Sequence, residues 1–148
     1  MIQQITWEEI YEIWSKELWP TRTSKIESTS AMNFLSGYNM DNMKYNPTLF
    51  GYVLGGKVMG VNSGHRCADG SYRSRGLYLK KQFRGLGLGI ALLKATIKQA
   101  KLEKAKFIWS LPRLDSWKTY NSVGFKLASN WHNTETSDSN AYCYMSLQ

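Results

Sequence analysis

Trp7, Ile10, Tyr11, Trp14 and Leu18 recur at spacings of three and four, the period that gathers side chains on one face of a helix. Thr6 and Glu9 have the form of a capping box at its start, in which each side chain accepts an N–H that the helix end leaves free. Pro20 ends the pattern, and residues 2–5 ahead of it are a short candidate strand. Residues 21–46 are polar and keep no sustained period, with a weak helical tendency at 31–35. A segment of that length inside a compact domain is usually a functional loop or a poorly ordered one.

The pattern then turns to sheet. Residues 48–54 are rich in β-formers, Gly55-Gly56 supplies the positive φ angles of a two-residue turn, and residues 57–65 return. A second turn at 67–70 leads to a strand at 71–79, so three consecutive strands form an antiparallel meander. Helical spacing resumes after Gly85, Gly87 and Gly89: Ile90, Leu93, Ile97 and Ala100 fall on one stripe, and Leu88, Leu92 and Ala95 on its neighbour. This predicts a helix of about four turns ending near Lys104. Residues 107–111 read as a short buried strand. Asp115 or Ser116 is placed to cap a short helix carrying Trp117, Tyr120 and Val123, which Gly124 closes. Residues 125–128 and 141–147 are the last two strands, separated by a polar, mobile loop at 130–140. No repeat or linker divides the chain, which predicts one α/β (α+β) domain over residues 1–148.

Composition narrows the setting. A chain of 148 residues with 43% hydrophobic and 20% charged positions is not a disordered polyelectrolyte. No apolar run approaches the roughly 18–20 residues that span a bilayer. The first residues lack the basic start and apolar stretch of a secretory signal, so a cytoplasmic protein with no membrane partner is expected. Cys67 and Cys143 lie in no CxxC pattern, and His65-x-Cys67 is too small a set for a metal, so neither a disulfide framework nor a metal site is expected. His132 reads as an exposed side chain. The net charge of +8 admits nucleic acid, a membrane surface or a phosphorylated ligand. The cations are dispersed, however, as Arg73/Arg75, Lys80/Lys81/Arg84 and a solvated helix face from Lys94 to Lys106. No RNA-binding or helix-turn-helix signature accompanies them, and nucleic acid is not the expected partner.

The glycine-rich turn between strand and helix is the most specific feature. Glycines let an anion approach the backbone, and the first N–H groups of the helix favour phosphate there. Gly89 is followed by Ile90-Ala91, so the Gly-Lys-Ser/Thr ending of a Walker loop is absent. The dinucleotide GxGxxG frame counted from Gly85 meets Ile90, so it fails too. Arg84-Gly85-Leu86-Gly87-Leu88-Gly89 instead matches R/Q-x-x-G-x-G/A and resembles the GNAT superfamily of acetyltransferases. The flanking Leu77-Tyr78-Leu79 and Ala91-Leu92-Leu93 are similar to that family's usual surroundings. The later Tyr120-Asn121-Ser122-Val123-Gly124-Phe125 resembles its tyrosine helix ending in Gly-Phe. Both blocks, in order and across almost the whole chain, carry the resemblance.

That resemblance implies a GNAT-like mixed, largely antiparallel sheet of six to seven strands with helices on both faces. It implies acetyl-CoA as acyl donor, held along Leu77 and Leu79 by its pantetheine arm. The pyrophosphate would lie on the backbone of Arg84, Gly85, Leu86, Gly87, Leu88, Gly89 and Ile90, in the field of Lys80, Lys81 and Arg84. The second partner is an amine acceptor, a small molecule or a peptide, acetylated by direct transfer in a ternary complex. A homodimer through the last strands is an arrangement the family allows. Tyr120 stands where the family's tyrosine protonates the departing sulfur. The base is less determined. Many members carry a Glu on the strand before the glycine turn, whereas Tyr72, Arg73, Ser74 and Arg75 stand here, leaving His65, Asp69 or a water. An Asn that often follows the fifth strand is replaced near that position by Arg113. A catalytically silent acyl-CoA-binding module is the alternative that these departures raise.

Arg73 and Arg75 alternate onto one strand face, either toward solvent or into the acceptor site, where Arg suits a carboxylate or phosphate. Trp14, Trp19, Phe34, Tyr38 and Tyr45 are candidates for an acceptor cleft, with core packing expected for most. Cys67 and Cys143 read as ordinary side chains.

Overall fold

The computed structural model describes residues 1–132 and 139–148, and the middle of the expected loop at 130–140 lies outside the described residues. The meander forms as the alternating pattern predicts. Strand β2 (Thr48–Leu54) turns through Gly55 and Gly56, both at positive φ, into β3 (Lys57–Arg66), and β4 (Tyr72–Leu79) follows. The short β1 (Ile2–Gln4) pairs with β2, while β5 (Phe107–Ser110) joins β4 in parallel. The last strands, β6 (Lys126–Leu127) and β7 (Cys143–Ser146), complete a seven-stranded sheet in the order β1-β2-β3-β4-β5-β7-β6. All pairings except β4–β5 are antiparallel.

Alternation sorts the side chains between two covering layers. On one face Tyr72, Ile108 and Cys143 pack with Leu93, Ile97 and Ala100 of helix α2 (Leu88–Leu102). On the other, Leu49 and Val61 lie with Ile10 and Ile13 of helix α1 (Trp7–Ile13) and with Trp14. Farther along that second face, Phe34 covers a cluster of Cys67, Trp109 and Tyr142. Both cysteines are buried and free.

The capping box of α1 closes as expected, with Glu9 N–H donating to Thr6 Oγ1 at 3.2 Å and Thr6 N–H to Glu9 Oε1 at 3.0 Å. Its end differs: the chain continues through a π-helical turn, Trp14–Leu18, closed by Trp19 N–H donating to the Trp14 carbonyl. Residues 31–35 are not helical. Leu35 and Gly37 adopt positive φ, Met32 bridges Tyr38, and a 3-10 turn follows at Met40–Lys44. The buried amide of Asn42 imposes this path, donating to the carbonyls of Ala31 and Met32 while its oxygen accepts from Ala68 N–H. The long segment is therefore packed onto the sheet rather than loose. Helix α3 (Trp117–Ser122) also starts differently, because Ser116 has helical angles and gives no side-chain cap.

One irregularity positions everything that follows. In β4, Gly76 and Leu77 stand opposite the single Asn62 of β3, a bulge with Gly76 at φ 78°. Trp14 Nε1–H donates to the Gly76 carbonyl at 2.9 Å. Strands β4 and β5 pair only at Tyr72↔Ile108 and Arg73↔Trp109, and past that point they part. No helix of the described residues is long and apolar enough to cross a membrane.

Candidate active site

The gap between β4 and β5 opens into a cleft of about 540 Å³. Leu77 and Leu79 line it from β4, and Arg84, Gly85 and residues 87–90 from the glycine turn and the start of α2. Arg113 and Asp115 stand on the opposite wall, with Lys118, Thr119 and Ser122 of α3. Every residue expected at the cofactor loop lines this cleft except Leu86, whose side chain is exposed. Gly85 and Gly87 have φ of 78° and 80°, in the left-handed region where glycine alone is unstrained, and no atom stands within 4 Å of either missing Cβ. The turn thus presents bare backbone. Gly87 provides no side-chain cap, and the first bond of α2 is Ala91 N–H to the Gly87 carbonyl. The N–H groups of Leu88, Gly89 and Ile90 are the unpaired donors that a helix start leaves free, at its positive end.

The cations are arranged differently from the sequence expectation. Arg84 lines the cleft, with its Nε–H donating to the Leu79 carbonyl at 2.9 Å and its guanidinium over the Tyr78 ring. Lys80 does not line it and pairs with Glu17 at 3.1 Å; Lys81 is exposed and also stands outside. Lys118 and Arg113 take their place on the far wall. The spacing of Lys118 and Ser122 on α3 could have shown them to share one helix face.

A smaller space of about 90 Å³ continues from the cleft, sharing Leu18, Leu77, Arg113 and Ser116 with it. Tyr120, Arg73 and Arg75 all line this space, so three of the predicted chemical residues meet there. Tyr120 is 3% exposed and stacks edge-on against Phe125. Burial, above all, raises its hydroxyl above the ordinary value of 10, so the group stays protonated. Ser110 Oγ–H donates to the Ser74 carbonyl at 2.8 Å and lies 3.4 Å from Tyr120 Oη, too far for a strong second bond.

Arg73 and Arg75 do not face solvent. They are 8% and 5% exposed, on the sheet face that residues 19–46 cover. Arg75 Nη1 donates to the Glu27 carbonyl at 2.7 Å, and its guanidinium lies over Trp14 and Trp19. Arg73 lies over Trp109, and its Nε and Nη1 have no hydrogen-bond partner among the described residues. Desolvation pushes Arg73 down to about 10 and Arg75 to about 9, the latter also under repulsion from Arg73 and Arg22. Both stay cationic at neutral pH.

The base candidates lie elsewhere. His65 lines neither space: it is fully buried, its Nε2 accepts from Ser30 N–H at 3.3 Å, and its Nδ1 lies 2.9 Å from the Arg66 carbonyl. That arrangement uses its basic lone pair in the fold, and burial, above all, lowers it to about 4. Asp69 accepts from Ser71 N–H and Oγ–H in its turn. His65 has a consequence for stability instead. Its folded pKa lies below the ordinary 6.5, so the unfolded chain takes up the proton first as pH falls. Stability should decline from about pH 6.5 and level off below about pH 4, by roughly 3 kcal/mol in all. Denaturant melts of the wild type and His65→Gln across that window test this, the variant lacking that decline.

Of the aromatics, Trp19 lines the small space, Trp14 supports Arg75, and Phe34 packs on Phe107 and Trp109. Tyr38 is exposed, and Tyr45 lies under Arg66. Burial pushes the Cys143 thiol up to about 12, which keeps it unreactive. Among the described residues no cluster of His, Cys, Asp or Glu is placed to hold a metal.

The fold has many solved counterparts. The IAA acetyltransferase from Bacillus cereus is 15% identical with a TM-score of 0.68, over 99% of each chain. The ribosomal-protein-S18-alanine N-acetyltransferase from Escherichia coli is 14% identical with a TM-score of 0.66, over 100% of this chain and 94% of that one. A Bacillus anthracis protein solved in complex with acetyl coenzyme A is 12% identical with a TM-score of 0.65, over 100% and 97%. No curated protein matches the chain in sequence. The family model described as the acetyltransferase (GNAT) family matches residues 2–125, spanning the meander, the glycine turn and the tyrosine helix. The chain belongs to the GNAT family of acetyltransferases.

Proposed function

We propose that the protein is an acetyl-CoA-dependent N-acetyltransferase that acylates a primary amine directly, in a ternary complex. The continuity between a backbone-walled cleft at a helix N-terminus and a small pocket holding a buried tyrosine supports this reading most. The residues present fit acetyl-CoA. The bare turn at Gly85 and Gly87 and the free N–H groups of α2 suit a pyrophosphate, with Arg84, Arg113 and Lys118 adding positive field. Past Arg73, the edge of β4 that faces β5 has no strand partner among the described residues and offers backbone groups to an amide-bearing arm. When bound, acetyl-CoA supplies a thioester carbonyl as electrophile and a thiolate that leaves with a proton. Tyr120 Oη holds that proton. Arg73, Arg75 and Arg113 disfavour an ammonium beside them, which lowers the acceptor's pKa and lets water take its proton.

Calorimetry with acetyl-CoA, followed by thiol release across a panel of primary amines, tests this reading. Gly87→Val should weaken acetyl-CoA binding about 10- to 100-fold, because a β-branched residue is strained at φ 80°, while the open space around it spares the fold. Failure of the wild type to bind acetyl-CoA at millimolar concentration would overturn the reading. Binding without thiol release would make the chain a silent acyl-CoA-binding module.

A further inference from the structure

Two adjacent arginines on one strand face, both more than nine-tenths buried, are costly to keep without an anion. Arg73 and Arg75 repel each other, and Arg22 adds to the repulsion on both. Arg113 lines the same space, and no Asp or Glu does among the described residues. Glu27, the carboxylate that acts on Arg75, is tied to Lys25 at 3.5 Å, and only its main-chain oxygen meets the guanidinium. Among the described residues Arg73 keeps two nitrogens without a partner, and a cation over an aromatic face satisfies the charge but none of the N–H donors. Among the described residues, the space that holds Tyr120 thus carries three guanidinium groups, two of them buried, and no carboxylate.

We infer that the acceptor is a small amine carrying its own carboxylate, of the amino-acid class, whose carboxylate is held by Arg73 and Arg75 while its amine faces the end of the cleft beside Tyr120. This presupposes acetyl transfer at the cleft. The size of the space supports a carboxylate on a small molecule: about 90 Å³ holds on the order of six to nine water-sized groups, the bulk of a small amino acid. Planar guanidinium groups match a carboxylate well and would discriminate strongly against an amide, which brings no charge and leaves the arginines unpaired. Pairing with the carboxylate also offsets the repulsion between the arginines, so acceptor binding should stiffen this part of the sheet.

Matched acceptors decide the matter: α-amino acids, their primary amides, their decarboxylated amines, and O-phosphoethanolamine, each with acetyl-CoA and thiol release as the readout. The acids should exceed their amides by about 100-fold in kcat/KM. Arg73→Gln and Arg75→Gln should each raise KM for the acids about 100-fold and bring the acid-to-amide ratio near one, with acetyl-CoA affinity unchanged. Amides or simple amines that match the acids overturn the inference, and so does a preference for the phosphorylated amine. Should a Gln variant not fold, a second measurement on the wild type remains. Calorimetry of the CoA-saturated protein should detect N-acetyl amino acids and not N-acetyl amino amides. That result in a protein releasing no thiol would sink the catalytic reading and keep the carboxylate pocket. Equal binding of the two, or none of the acids, would sink the pocket while leaving acetyl transfer to other amines intact.

Discussion

Tyr120→Phe should lower kcat roughly 100- to 1,000-fold and leave acetyl-CoA affinity within about twofold, the range that loss of a placed general acid commonly costs. The split between the two parameters follows from where the hydroxyl lies. Tyr120 lines the small pocket and not the larger cleft, so its removal takes nothing from the glycine turn. The ring, packed edge-on to Phe125 in the core of the α2 face, stays as it was. No donor is stranded either, because Ser110 already gives its proton to the Ser74 carbonyl. Thermal stability should therefore move little. Burial holds the hydroxyl above its ordinary 10, so the wild-type kcat should show no loss from its ionisation up to about pH 10. Steady-state kinetics beside acetyl-CoA calorimetry checks both halves. A variant that keeps a third or more of kcat would show that another group protonates the sulfur.

The parts of this site that were legible in the sequence are those decided locally. Three glycines between a strand pattern and a helix pattern announce a turn with unusual φ angles, and the turn has them at Gly85 and Gly87. The period of Leu88, Leu92 and Leu93 against the sheet needs no knowledge of distant segments. Where the reading departed from the molecule, a distant partner decides. Residues 31–35 have helical propensity, but one buried amide, Asn42, holds their carbonyls in an open path. Arg73 and Arg75 alternate as strand residues must, yet whether that face meets water depends on residues 19–46 lying over it. His65 looked available because its lone pair is invisible in sequence, and Ser30, 35 positions away, occupies it. The pairing of Lys80 with Glu17, 63 residues distant, is likewise invisible in any local pattern. The small pocket itself exists only because β4 and β5 pair at two positions and then part, a property of register that no single segment carries.

Gly76→Ala should lower Tm by roughly 4–20 °C and weaken acetyl-CoA binding together. Two costs add at this position. The backbone sits at φ 78°, which any residue with a Cβ adopts only under strain of about 1–2 kcal/mol. The added Cβ would also fall inside the contact distance of Trp14 Cε2, Cζ2 and Nε1, and that ring is fully buried and cannot swing aside. Overpacking of this kind costs about 1–3 kcal/mol more, and each kcal/mol is worth about 2–4 °C in a chain of this size. Gly55→Ala separates the terms, since Gly55 has φ 58° and nothing within 4 Å of its missing Cβ; its Tm should fall by only a few degrees. Function follows from the same geometry. Trp14 donates to the Gly76 carbonyl and lies beneath Arg75, so a displaced indole loosens the bulge and the acceptor pocket at once. Leu77, next in the chain, lines both spaces and would move with it. Thermal melts and acetyl-CoA calorimetry on the two alanine variants give the answer. Equal losses at Gly55 and Gly76 would mean that the bulge tolerates a Cβ and that the indole does not lock it.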